Sequence, residues 1–390
     1  PDEITVGNAG SVQQIQGPLS LADDVWYDDI TINDSADTMG RTFTYGQSSV
    51  IGLAPATISF NQSDIFTITV DAGSGGNNIT VADTVVSSTN TINTGSGNNT
   101  VIVQSVLGGS TLNINGQGGH DSVTVDVSVL TQGSLAGFQS NLGPVSVTNP
   151  GGATALTIDA SSESSNHSLT IASGWEIGLG SSAVNYTLGA GSSLDVKTGS
   201  GNDAFQVNTT SVPTTLEGGA GANSYAVDLT GLASGSPLTI SDGGGGQATF
   251  GGTASAATYA IGPAQVSVAG AVVNYAGLSQ VTVNAFDGLD TFNVTPSAST
   301  TLNVNGGAPS GVTLNNTLNV QTSGATNVLL SQTSTSTGYQ GSYTFGNRLP
   351  VNFKNIQLAQ QQQTASADLS LSLGAPTSVT ENGALTYTFV

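Results

Sequence analysis

The chain has no cysteine among its 390 residues, so neither a disulfide framework nor a thiolate metal site is available to it. Positive charge is nearly absent. Four basic residues (Arg41, Lys197, Arg348 and Lys354) stand against 25 Asp and Glu, for a net charge of −21. Without a cationic surface to displace counterions from phosphates, nucleic-acid binding is excluded, and so is electrostatic attraction to an anionic membrane. No run of about 18 apolar residues occurs, so no membrane insertion is expected. Helix formers are scarce as well: five Glu, one Met (Met39) and the four Lys and Arg. So few basic residues leave trypsin-like proteases few targets, which favours a secreted, extracellular or cell-surface location.

What remains is strand and turn. Gly accounts for 52 residues, and Ser, Thr, Asn, Val, Ala and Leu dominate the rest. Strand residues alternate with Gly, Asn and Asp throughout, so the composition predicts an all-β protein with almost no helix. Asp outnumbers Glu twenty to five, which suits carboxylates placed in turns.

A block of twelve residues recurs six times, at 70–81, 92–103, 114–125, 196–207, 216–227 and 283–294. It starts on an apolar residue, continues through a Gly-rich stretch to Asn or Asp at position 8, and ends on apolar residues at positions 10 and 12. Position 8 is Asn77, Asn99, Asp121, Asp203, Asn223 and Asp290; position 10 is Ile79, Val101, Val123, Phe205, Tyr225 and Phe292. Positions 10 and 12 share one face of a strand, because the side-chain period is two. The pattern therefore reads strand, tight corner, strand. Asn and Asp at position 8 read first as turn chemistry, with inter-coil ladders as the alternative. Val70, Ile92 and Ile114 stand 22 residues apart, and Val196 and Leu216 stand 20 apart. Such a period marks a β-solenoid in which each period is one coil, and the reading is a right-handed parallel β-helix with coils of about 20–22 residues.

A second motif, apolar, Ser or Asn, aromatic, appears as Ile58-Ser-Phe60, Val184-Asn-Tyr186, Val273-Asn-Tyr275 and Val351-Asn-Phe353. Upstream of these lie Ile30-Thr-Ile32, Leu156-Thr-Ile158, Leu238-Thr-Ile240 and Val328-Leu-Leu330. The spacing predicts four superunits over residues 28–358, the third with an insertion. Residues 1–27 read as the tail of a preceding coil or domain, 359–366 as a linker, and 367–390 as the first two strands of a further domain or as exchanged strands. The chain opens on Pro1 and ends in a strand-like run, and is expected to be a piece of a longer polypeptide.

The stretch Gly199-Ser-Gly-Asn-Asp-Ala-Phe-Gln-Val207 resembles the calcium-binding nonapeptide of RTX-type proteins through Gly199, Gly201, Asp203 and Phe205. Looser matches surround Asp121 and Asp290. The resemblance implies Ca²⁺ held by Asp121, Asp203 and Asp290, although that family's motifs are contiguous and these stand coils apart. The superunit, with Leu156-Thr-Ile-Asp159, Gly52-Leu-Ala-Pro55 and Gly201-Asn-Asp203, is similar to long repetitive surface proteins of environmental bacteria, planctomycetes among them. Residues 367–388 resemble the opening strands of the Ig-like repeat domains of bacterial surface proteins.

Candidate chemistry is sparse. Asp23, Asp24, Asp28, Asp29, Asp34 and Asp37 lie within fifteen residues and could supply oxygen ligands to Ca²⁺, with Asp28, Asp29 and Asp34 the residues favoured; the bland reading is a solvated acidic edge. His120 and His167 have no partner motif and read as surface or turn residues. No phosphate loop, dinucleotide fingerprint, zinc-protease pair or nucleophile elbow occurs. Some β-helices cleave acidic polysaccharides, but no acidic cluster at coil spacing is apparent around Lys197 and a polyanion would be repelled, so no enzyme is expected. The reading is an extracellular structural repeat protein, either a rigid spacer or stalk or a subunit that self-associates into a fibre or lattice. A calcium-stabilised adhesin with a glycan or cell-surface ligand is the alternative.

Overall fold

The computed structural model describes residues 2–22, 27–127, 143–179, 182–307 and 316–362. Each coil contributes one strand to each of two sheets. The chain passes from Ile65–Asp71 in sheet I to Asn78–Val81 in sheet II, returns to Thr89–Asn93, and goes on through Thr100–Val103 to Thr111–Asn115. Neighbouring coils pair in parallel and in register: Val70 lies opposite Ile92, and Ile92 opposite Ile114. On the other sheet Ile79 pairs with Val101 and Val101 with Val123. All six are buried between the sheets, while the intervening polar residues face out. One coil could not bury so few apolar residues alone, and stacking does it for all of them. Each sheet holds 17 strands. Sheet I runs from Glu3–Val6 to Leu329–Thr335, and sheet II from Leu19–Leu21 to Leu358–Gln362. No α-helix occurs among the described residues, which is the all-β solenoid that the repeats predict.

Four meanders interrupt the coils. Each is a run of three strands that stays in one sheet: Thr42–Gly46, Ser49–Ile51 and Ile58–Phe60 in sheet II; Ser168–Ala172, Trp175–Ile177 and Val184–Leu188 in sheet I; Thr258–Ile261, Gln265–Val268 and Ala271–Ala276 in sheet II; Leu329–Thr335, Gly338–Thr344 and Val351–Ile356 in sheet I. The third strand of each pairs in parallel with the coil behind it. In the first three meanders, the first strand pairs in parallel with the coil ahead. The middle strand runs antiparallel between the other two. A meander lengthens its own sheet by two strands, so the first pushes sheet II ahead of sheet I and the second restores the balance. Alternation between the sheets keeps the two ladders equal in length.

The aromatic motif of the sequence is the third strand of every meander. Two boundaries differ from the sequence reading. Val328-Leu-Leu330 does not correspond to Ile30-Thr-Ile32: Leu329 and Leu330 open the first strand of a meander, and the strand before that meander is Thr317–Gln321. The expected linker also starts inside a strand, because Leu358–Gln362 pairs with Thr317–Gln321 and continues sheet II. The insertion of the third superunit is the strand Gln247–Gly251, which lies between Leu238–Ser241 and the meander. Residues 367–390, read as Ig-like strands, lie outside the described residues.

The two ends of the rod differ. At the first rung Val6 and Val12 are buried, with Ile4, Leu19 and Leu21 packed against the core. In the last strand of sheet I, Leu330 lies opposite buried Tyr343, but the next two residues on that face, Gln332 and Ser334, are polar and exposed.

Candidate functional site

Position 8 of the repeat is where the strand begins after the Gly-rich corner. There the backbone N–H of one coil reaches a side chain of the next. Arg41 N donates to Asn77 Oδ1 (2.9 Å), Asn77 N to Asn99 Oδ1 (2.8 Å) and Asn99 N to Asp121 Oδ1 (3.0 Å). A second ladder runs from His167 N to Asp203 Oδ1 (2.8 Å) and from Asp203 N to Asn223 Oδ1 (2.8 Å). A third runs from Ala257 N to Asp290 Oδ1 (2.9 Å), from Asp290 N to Asn316 Oδ1 (2.9 Å), and from Asn316 N to Gln357 Oε1 (2.6 Å). Each ladder starts at the residue before the first strand of a meander. The Asn residues also hold their own turns, since Asn77 Nδ2 donates to Gly73 O (2.8 Å) and Asn99 Nδ2 to Gly97 O (2.8 Å). Turn chemistry and inter-coil ladder are thus one device. A buried N–H left without an acceptor there would cost about 1–3 kcal/mol.

The six expected calcium ligands do not converge. Asp121, Asp203 and Asp290 are buried in separate coils, and each carboxylate faces a backbone N–H. Asp121 also accepts Asn99 Nδ2 at 2.8 Å. Burial raises the Asp121 carboxyl, against the lowering effect of its Asn99 and Thr94 bonds; burial likewise raises Asp290, against the N–H of Ala257. A cation placed at these oxygens would meet the positive ends of N–H dipoles, which is a poor fit to an ion that takes six to eight oxygen ligands. Asp28 is buried on Asp28–Asn33, and Asp29 Oδ1 accepts the hydroxyl of Thr67 at 2.6 Å. Asp34 is fully buried, where Oδ1 accepts Val12 N (3.0 Å) and Oδ2 accepts Gln13 Nε2 (2.9 Å). Burial raises the Asp34 carboxyl and these two bonds oppose the rise. Asp34 therefore fastens residues 12–13 to the solenoid, a role that its place in an acidic run concealed. Asp37 binds Arg41 at 2.5 Å, while Asp23 and Asp24 lie outside the described residues. Among the described residues no group of three or more His, Asp and Glu is placed to hold a metal ion.

The surroundings of Lys197 differ from the sequence reading. In register with it stand Asp159 one rung behind and Glu217 one rung ahead. Lys197 Nζ lies 3.1 Å from Asp195 and 3.3 Å from Glu217. Burial lowers the Lys197 pKa, but the bonds and charges of Asp195 and Glu217 outweigh it and raise it. The Asp195 carboxyl is raised by burial, with Glu217 and Asp159 adding to the rise and Lys197 opposing it. An open groove of about 480 Å³ passes over this cluster, lined by Glu163, Lys197, Ser200 and Glu217. An acidic cluster at coil spacing does exist. Its signal was the 20-residue step from Lys197 to Glu217, the same step that separates Val196 from Leu216. A lysine held as a cation in this way is a poor general base, and its ion pairs join its own strand to the next coil. His120 opens the strand His120–Asp126 as an exposed residue, and its N–H donates to Asn98 Oδ1 at 2.9 Å.

No family model matches the chain, and no curated protein matches it.

Proposed function

We propose that this chain is an extracellular structural module, a stiff spacer or stalk segment. The observation that supports this reading best is the pair of unbroken ladders, 17 strands each, with the meanders arranged so that neither sheet outruns the other. At about 4.8 Å per strand the rod is roughly 80 Å long. Its stiffness comes from backbone pairing along the whole axis, supplemented by the side-chain ladders at the corners. Outward positions are mostly Thr, Ser and Asn, and the net charge of −21 keeps like molecules apart. That charge, the absence of cysteine and the scarcity of cleavable basic residues support an exposed, extracellular life.

The spacer reading is favoured over the self-assembling fibre by the exposed Gln332 and Ser334, which make the final strand of sheet I a poor face for stacking. Terminal repeats of solenoids carry such polar faces where the stack stops. Small-angle scattering of the purified chain, with its mass measured in the same sample, tests the reading. An elongated monomer near 38.7 kDa with a longest dimension of roughly 80 Å or more is expected. A compact particle would contradict the spacer, and concentration-dependent filaments would replace it with the fibre.

A further inference from the structure

Each of the four meanders carries on its middle strand an inward residue that faces an apolar residue of the third strand. By strand pairing these are Val50, Glu176, Val266 and Tyr343, opposite Ile58, Val184, Val273 and Val351. All four are buried, Glu176 at 1% exposure. Three repeats thus put a largely apolar side chain into this slot and the second puts a carboxyl there. Its neighbours on the same face of the sheet are Ile171 and Val184, and its Oε1 has no hydrogen-bond partner. The backbone N–H of Leu179 donates to its carboxyl. Tyr186, on the adjacent strand, is the titratable group that Glu176 influences, and the Tyr186 hydroxyl is already committed to Ala172 O at 2.7 Å. Among the described residues no ion pair reaches Glu176; Lys197 is held by Asp195 and Glu217, and Arg41 by Asp37.

We propose that Glu176 makes the second meander a pH-sensitive latch, held most firmly onto the core while its carboxyl carries a proton and loosened when the proton leaves. Burial pushes this carboxyl up to about 7, against the N–H of Leu179, from an ordinary value of 4.5. Because the folded value lies above the unfolded one, the latch is fully stable below pH 4.5 and loses stability as pH rises to about 7, after which the loss is complete. The displacement corresponds to roughly a 300-fold gain in the opening equilibrium. Opening would free the strands Trp175–Ile177 and Val184–Leu188, exposing the edge of Val145–Asn149.

Amide hydrogen exchange of the full chain at pH 5 and pH 8.5, corrected for the chemical exchange rate, tests this on wild type, Glu176→Gln and Glu176→Val. Protection of the second meander should fall by about 75-fold in wild type between the two pH values, while that of the first meander, with Val50 in the slot, holds. Glu176→Val should hold protection at both pH values, and Glu176→Gln should show no pH step whatever its absolute stability. Equal loss in wild type and Glu176→Val, or no loss in wild type, would overturn the latch. Trp175 fluorescence gives an independent reading, expected to change with pH in wild type alone.

Discussion

The rings of Phe205 and Tyr225 lie stacked, with centroids 4.8 Å apart and planes 14° from parallel, although 20 residues of chain separate them. Each occupies position 10 of its block, and they pair across adjacent coils of sheet I. Tyr259 and Phe292 repeat the arrangement in sheet II at 5.1 Å. Deleting one ring removes burial from two coils at once. Phe205→Ala should destabilise the protein by about 3–5 kcal/mol in denaturant unfolding. Phe286→Ala, at a residue 55% exposed, should stay within about 0.5 kcal/mol of wild type. Similar losses at the two sites would mean that the stack carries none of the stability.

Some corners leave no room for a side chain. A Cβ on Gly199 would run into the carbonyl oxygen of Glu163 in the neighbouring coil, whereas one on Gly151 would meet nothing within 4 Å. Backbone cannot move aside without disturbing the ladder. Gly199→Ala should therefore lower the melting temperature and Gly151→Ala should leave it near wild type, as thermal unfolding followed by circular dichroism will report.

Asp290 stands where Asn77, Asn99 and Asn223 stand in other coils, and its Oδ2 is buried without a partner. Burial raises its carboxyl pKa. The folded state therefore disfavours the charged form, and the penalty grows as pH rises above the unfolded carboxyl range. Asp290→Asn keeps the acceptor for Ala257 N and should stabilise the protein by about 1 kcal/mol at pH 7. The gain should vanish as pH falls toward the unfolded carboxyl range, where Asp290 also becomes neutral. Unfolding curves for both proteins at pH 7 and pH 3.5 check the sign at each end; a gain that persists in acid would contradict the account.

Calcium should do little. The carboxylates of Asp121, Asp203 and Asp290 accept N–H donors and lie in separate coils, so calcium and EDTA should leave the melting temperature unchanged. A clear calcium-dependent rise would restore the adhesin alternative and call for oxygen ligands that these residues do not supply by themselves.

Much of this fold was legible in the sequence, because a parallel solenoid repeats its contacts at the period of its chain. Val70, Ile92 and Ile114 could be aligned by counting, and they pair as counted. The meanders were not legible as such. A strand that turns back within its own sheet, as Ser49–Ile51 does, has the same alternating pattern as one that crosses to the other sheet, and nothing local distinguishes the two. For that reason spacing alone aligns Val328-Leu-Leu330 with Ile30-Thr-Ile32, although the matching strand is Thr317–Gln321. The calcium reading failed to gather its residues for a related reason: Asp at a turn looks alike whether its oxygens face an ion or the N–H of the coil behind. The column of Lys197 and Glu217 follows from the same 20-residue step, taken at outward positions as well as inward ones.

The stacked rod itself is tested most directly by a distance along its axis. With no native cysteine, Thr91→Cys and Thr282→Cys can carry a pair of spin labels without background. Their strands, Thr89–Asn93 and Gln280–Asn284, stand nine strand spacings apart in sheet I, about 43 Å at the usual strand separation. A narrow distribution of inter-label distances near 43 Å at pH 5, by pulsed electron paramagnetic resonance, is the predicted result. A distance below about 25 Å, or a broad distribution without a maximum, would contradict the continuous ladder.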